Sequence, residues 1–185
     1  MTTVPADVLV IGFGGNVGDD GAILERFEHA RGALNQLGEV TSAALYRTAP
    51  VVGDDGGTGL AGDRFASGRS QPPFLNTAVR VRVTDATPPE LLAYLHELER
   101  LLGRDRTREV RWGPRPIDLD LLLWGARTVH TPELEIPHPR IAGRRFVILP
   151  LIDLFGDQLV VAGHSLAVLR ARVAVQVVDE IKTSW

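Results

Sequence analysis

Two rhythms of apolar residues alternate along this chain. Val8–Phe13 is an almost unbroken apolar run, the pattern of a buried strand, and it leads into the turn-forming sequence Gly14-Gly-Asn-Val-Gly-Asp19. From about Gly21 to Leu37 the spacing becomes helical, with Ile23, Phe27, Ala30, Leu34 and Leu37 on one stripe and Gly38 as the stop. Val40–Arg47 predicts a second strand and Asn76–Val83 a third, the latter with Val79, Val81 and Val83 on one face. The best-marked helix is capped by Thr87 and opened by Pro88, with Glu90 completing a capping box. Its buried stripe is Leu91, Leu95, Leu98 and Leu102, and Gly103 ends it. Ile117–Trp124 predicts a further strand. After the Pro-rich segment Pro132–Pro139, Phe146–Leu149 predicts a short strand and Ser165–Arg172 a weaker helix. No internal repeat interrupts the alternation, so it predicts one α/β-type domain over residues 1–185.

Length and composition narrow the functional classes. A chain of 185 residues can bury a sizeable core in one domain. A net charge of −3 gives no global pull toward nucleic acid or an anionic membrane. The absence of cysteine excludes disulfides, thiolate nucleophiles and Cys-ligated zinc, and suits a reducing compartment. The first apolar run lacks a basic region ahead of it and is too short for a signal or membrane segment, so the cytoplasm is the expected location. Lys182 is the only lysine among 20 basic residues and follows no glycine-rich loop, which excludes a Walker-type phosphate site. The glycines Gly12, Gly14 and Gly18 follow a strand, but the last is one place late for a dinucleotide fingerprint and no acidic residue ends the second strand. A tight turn explains them equally well, with Asn16 and the loop amides as weak candidates for touching a ligand.

Asp118 and Asp120 lie two apart in an apolar run, so on a strand both carboxylates leave from one face. Their Cα atoms would then stand roughly 6.5–7 Å apart, close enough for the carboxylates to share a divalent cation or grip two. Asp is poor in strands, and two like charges on one face repel unless a cation or arginines neutralise them. An all-oxygen site with few carboxylates suits Mg²⁺. The run Arg100, Arg104, Arg106, Arg108, Arg111, Arg115 stands just upstream, diluted by Glu99, Asp105 and Glu109, with Trp112 as its one stacking ring. A compact polyphosphate fits it better than nucleic acid, because guanidinium forks bind phosphate oxygens bidentately. His138, clamped between Pro137 and Pro139 and followed by Arg144 and Arg145, is a further phosphate-contact candidate. Between Pro50 and Pro73 runs a Gly/Asp/Ser-rich stretch, longer than connections inside compact domains usually are; composition alone favours an inert insertion over a lid.

The segment Arg111-Trp-Gly-Pro-Arg-Pro-Ile-Asp-Leu-Asp-Leu121 resembles the signature of the 6-hydroxymethyl-7,8-dihydropterin pyrophosphokinase family of folate biosynthesis. Supporting segments stand in the family's order: Gly14-Gly-Asn-Val-Gly-Asp, Tyr46-Arg-Thr-Ala-Pro, Phe74-Leu-Asn, Gly103-Arg-Asp-Arg and Ile136-Pro-His-Pro-Arg. The resemblance spans about residues 8 to 155. It implies a ferredoxin-like α+β sheet flanked by helices, and transfer of diphosphate from ATP to the pterin hydroxymethyl with release of AMP.

Carried over by position, the resemblance implies that Asp118 and Asp120 hold two Mg²⁺ ions between ATP and the pterin. Arg104, Arg106, Arg111, Arg115, His138 and Arg144 contact the triphosphate or neutralise charge during transfer, Arg104, Arg106 and Arg115 being read as catalytic. Glu99 and Trp112 belong to the nucleotide region. Thr48, Ala49, Val51, Phe74, Asn76 and Phe146 form the pterin pocket, with two rings sandwiching the bicycle. The resemblance also turns the Pro50–Pro73 stretch, together with Trp112, into a closing lid. Departures from the family's pattern are Gly15 for a usual Ser and Ala49 for a usual Pro. The reading takes the chain to be a monomer with small-molecule partners only. Its rivals are a non-catalytic nucleotide- or pterin-binding relative and a nucleic-acid-binding module, the latter opposed by the near-neutral charge.

Overall fold

The computed structural model describes residues 2–50, 71–109, 113–182 and 185. Strand β1 (Val8–Gly15) runs through the middle of the main sheet, and its side chains alternate between two buried faces. Leu9, Ile11 and Phe13 join one core; Val8 and Val10 join another. Around it stand α1 (Asp20–Leu34), β2 (Val40–Ser42), β3 (Leu45–Thr48), β4 (Phe74–Arg82), α2 (Pro88–Leu101) and β5 (Asp118–Trp124). The short pairs β6 (Val129–His130) with β7 (Glu135–Ile136) and β8 (Val160–Val161) with β9 (His164–Ser165) lie outside the main sheet. Helices α3 (Arg145–Phe155) and α4 (Leu166–Arg172) and strand β10 (Val178–Lys182) complete the chain. The sheet order is β10-β3-β4-β1-β5, with β2 also on β4, and each of these pairings is antiparallel.

Helices α1 and α2 cover one face, where Phe27, Leu34, Leu91 and Leu95 meet Leu9, Ile11 and Phe13. Helices α3 and α4 cover the other, where Ile148, Leu151, Leu166 and Leu169 meet Val10, Ala78 and Leu122. Each fully buried side chain of this size contributes about 1.5–3 kcal/mol, enough to hold a polar cluster at one end of the sheet in place. This is the α+β arrangement that the resemblance implied.

Four local expectations need correction. The expected strand Val40–Arg47 is two strands, because the Ala44 N–H leaves the ladder and donates to the Asp153 carboxylate of α3 at 3.1 Å. The expected strand Phe146–Leu149 is the first half of α3. A short unbroken apolar run carries no period that separates strand from buried helix. Here Val147, Ile148, Leu151 and Leu154 turn one helical face to the core, with Pro150 accommodated inside the helix. Helix α1 ends at Leu34 rather than Leu37, although Leu37 still packs against the core. Strand β4 starts at Phe74, two residues before the expected start, and so brings Phe74 into the sheet. The capping box of α2 forms as expected, with the Glu90 carboxylate accepting from the Thr87 backbone N–H at 2.8 Å.

Candidate active site

The antiparallel register sets Gly14 opposite Asp118 and Gly12 opposite Asp120. On its other side β1 sets Gly14 opposite Asn76 and Gly12 opposite Ala78. A strand lacking side chains at these two positions leaves a trough between β4 and β5 on the face covered by α3. A Cβ on Gly12 would meet the Leu122 side chain at 3.2 Å. The ladder skips one residue of β5 at Leu122, so Leu122 and Leu123 both belong to the second core and Trp124 returns to the first. Below that irregularity Asp118 and Asp120 share the trough face, as the period of two requires.

The trough opens into a pocket lined by Thr48, Ala49, Phe74, Asn76, Arg115, Asp118, Asp120, Arg144 and Phe146, all expected site residues. Gly12, Gly14, Thr77, Gly113, Leu122 and Val147 complete much of the wall and went unpredicted. Gly12 was legible in principle, since a glycine facing an aspartate across a ladder leaves room for a ligand. The polar side of the pocket is preset: Asn76 Nδ2 donates to Thr48 Oγ1 at 2.9 Å. Arg144 stands over the Phe146 ring, its Cζ 5.6 Å from the centroid.

Asp118 and Asp120 have different surroundings. Asp118 accepts from Arg104 through one oxygen and from Arg115 Nη1 at 2.7 Å through the other. Asp120 makes no hydrogen bond or ion pair among the described residues.

Arg104 and Glu99 lie beneath the pocket rather than in its wall. The Arg104 side chain is 3% exposed and donates to Glu99 at 2.5 Å, to Glu109 at 2.6 Å and to Asp118. In this arrangement Arg104 reaches the site through its ion pair with Asp118. Glu99, also buried, accepts from the Leu119 N–H at 2.8 Å and from Arg106 at 2.6 Å, and so ties α2 to β5. Arg106 is half exposed and, together with Glu99, Arg104, His96, Arg100 and Thr107, lines a separate cavity. His138 stays outside the pocket wall: its N–H donates to the Leu122 carbonyl at 2.9 Å, and its Nδ1 accepts from the Arg140 N–H at 3.1 Å.

Asn16 clamps the loop to the chain on either side of the site. It is buried, donates to the Pro72 carbonyl at 3.0 Å and accepts from the Arg115 N–H at 2.8 Å, which places Arg115. Arg111, Trp112, Val51 and residues 51–70 of the expected Pro50–Pro73 lid lie outside the described residues.

Residues 10–156 match a family model described as 7,8-dihydro-6-hydroxymethylpterin-pyrophosphokinase. The chain belongs to this pterin-pyrophosphokinase family. It is 37% identical over 151 residues to the 2-amino-4-hydroxy-6-hydroxymethyldihydropteridine pyrophosphokinase of Bacillus subtilis, covering 80% of this chain and 78% of that one. It is 41% identical over 153 residues to the mitochondrial folate synthesis bifunctional protein of pea, covering 82% of this chain and 26% of that protein. The chain thus spans about a quarter of that bifunctional relative. A crystal structure of Plasmodium falciparum HPPK-DHPS with pteroate shares the fold at a TM-score of 0.62 and 16% identity, over 89% of this chain and 42% of that one.

The electrostatics of this pterin-pyrophosphokinase family member separate the two aspartates. Burial pushes both carboxyls up, but the Arg115 and Arg104 guanidiniums outweigh it at Asp118 and hold that carboxyl below its usual value. At Asp120 burial and then repulsion from Asp118 prevail, and its carboxyl is pushed up to about 7. Burial first, then Arg144 and Arg140, pushes His138 down to about 4. A half-buried carboxylate with no hydrogen-bond or ion-pair partner among the described residues, beside a charged one, suits a cation, and an all-oxygen donor pair suits a hard one. Asp118 and Asp120 are the residues that could hold it; among the described residues no group of three or more His, Asp or Glu is placed to bind a metal. Among the described residues no helix is long and apolar enough to cross a membrane.

Proposed function

We propose that this chain transfers diphosphate from ATP to the hydroxymethyl group of 6-hydroxymethyl-7,8-dihydropterin, releasing AMP, as a Mg²⁺-dependent step of folate biosynthesis. The observation that carries the reading is the unpartnered Asp120 beside the arginine-held Asp118 at the floor of a pocket walled by Phe74, Phe146 and Asn76. Family membership and the names of the relatives support it.

In this reading Asp118 and Asp120 would hold two Mg²⁺ ions. Bound there, Mg²⁺ would supply charge neutralisation and a more acidic acceptor hydroxyl. Phe74 and Phe146 bind the flat bicycle by its faces, while Asn76, held by Thr48, offers it hydrogen bonds at its edge. Arg115 and Arg144 receive the phosphate oxygens, and Arg104 keeps Asp118 charged and aimed. The hydroxymethyl oxygen bonds to the β-phosphorus of ATP, the bond from that phosphorus to the bridging oxygen of AMP breaks, and the hydroxyl proton passes to solvent. Positioning and neutralisation suffice for such a transfer; no covalent protein intermediate is needed. The protein works as a cytoplasmic monomer in this reading.

Incubation with Mg-ATP and the pterin, followed by identification of the nucleotide product, tests the proposal. AMP is the expected product. ADP would replace the reading with an ordinary kinase, and no product with binding only would replace it with a non-catalytic relative.

A further inference from the structure

Helix α3 begins at the pocket, and its start carries two of the pocket's wall residues, Arg144 at the cap position and Phe146 two residues on. No side chain of its own caps this N-terminus. The cap comes instead from 31 residues downstream: Gln176 Oε1 accepts from the Arg145 N–H at 2.8 Å. The same amide reaches back across Arg144, its Nε2 donating to the Gly143 carbonyl at 2.8 Å. Arg145 returns the contact, its Nη1 donating to the Ala174 carbonyl at 2.6 Å and to the Gln176 carbonyl at 3.0 Å.

We propose that Gln176 is a positioning residue for Arg144 and Phe146, its side-chain amide fixing the backbone on both sides of Arg144 so that both side chains aim into the pocket. This rests on the reading of that pocket as the ATP and pterin site. The side-chain amide accepts from one backbone group through its oxygen and donates to the other through its nitrogen; an ionised carboxylate cannot donate, and an alkyl chain does neither. The local pattern is inverted to permit it. Val175 and Val177 stand 68% and 64% exposed while Gln176 between them turns inward, the reverse of what burial alone favours. Two residues later the same segment enters β10, where Val178 pairs with Thr48 on another wall of the pocket. The far end of α3 is tied to β3 as well, by the Tyr46 hydroxyl donating to Asp153 at 2.7 Å. Residues 174–178 therefore join the α3 wall to the β3 wall, and they lie beyond the stretch that matches the family model.

The test compares AMP release from Mg-ATP and 6-hydroxymethyl-7,8-dihydropterin by wild type, Gln176→Leu, Gln176→Glu, Arg144→Ala and the Arg144→Ala/Gln176→Leu double variant. Val173→Ala, which removes buried packing in the same segment without touching the bracket, is the control. At a temperature where circular dichroism reports a folded chain, Gln176→Leu lowers kcat/KM roughly ten- to a hundredfold. Gln176→Glu, which keeps the acceptor and loses the donor, falls between it and wild type, while Val173→Ala keeps the wild-type value. In the Arg144→Ala background Gln176→Leu adds a smaller fall, because one of the two residues it positions is gone and only Phe146 is left to misplace. Equal losses in Gln176→Leu and Val173→Ala, or full additivity with Arg144→Ala, overturn the proposal. Should Gln176→Leu not fold, Gln176→Glu carries the same comparison. If wild type releases no AMP, the functional reading fails instead. Nuclear Overhauser contacts between the Arg144 side chain and the Phe146 ring then decide the bracket's role: lost in the Gln176 variants they support it, and unchanged they overturn it.

Discussion

Arg104 and Asp118 form a buried ion pair across the base of the site, and this pair makes two aspartates on one strand face chemically unequal. Asp118 has two guanidiniums; Asp120, two residues on, has none bonded to it among the described residues. One carboxylate is thereby fixed in charge and direction, and the other is left open to a ligand.

Removing Arg104 should cost stability as well as activity. Arg104→Met leaves buried Glu99 with only Arg106 and half-buried Asp118 with only Arg115, so urea unfolding should report a loss of about 1–3 kcal/mol. A loss under about 1 kcal/mol would show that the network is not what holds α2 against β5.

Asp118 and Asp120 should separate when each is made neutral. Asp120→Asn relieves the like-charge repulsion, so its urea midpoint should equal or exceed that of wild type while turnover falls roughly 10²–10³-fold or more. Asp118→Asn should lose both, because Arg104 and Arg115 are left without their acceptor. Near-normal turnover in either variant sinks the metal assignment.

Magnesium should stabilise the folded protein through the same pair. At a hundred times its dissociation constant the ion adds about 2.7 kcal/mol, seen as a rise in Tm that chelation reverses. The rise should be absent in Asp120→Asn; an equal rise there would place the ion elsewhere.

His138 should titrate near pH 4 by NMR, because burial and the neighbouring Arg144 and Arg140 disfavour its charged form. The unfolded chain takes up this proton near the ordinary value of about 6.5 and the folded one does not. The resulting stability is complete above that value and is lost as pH falls toward 4. A midpoint at the ordinary value would mean that His138 is solvated.

Much of the site was legible because its signals are local. The spacing of Asp118 and Asp120 put them on one face before any fold was known, and the capping box at Thr87 and Glu90 fixed the start of α2. Phe146 was identified as a pocket residue but assigned to a strand, since a run of apolar residues says that a segment is buried and not in what shape. Asn16 was placed in the right loop, but its clamping role could not be read there. Its partners Gln71, Pro72 and Arg115 are 55, 56 and 99 residues away, and no local pattern encodes them.

By itself the sequence determined the family, the first strand, helices α1 and α2, the aspartate strand, and the one-face placement of Asp118 and Asp120. Periodicity and capping act over a few residues, so they can be read along the chain. The tertiary structure alone decided which aspartate is neutralised, that Arg104 works from beneath the pocket, and that Gln176 caps the helix carrying Arg144. Those outcomes depend on burial and on charges brought together from distant positions, and a carboxylate's protonation or an amide's partner exists only once the chain has closed around it.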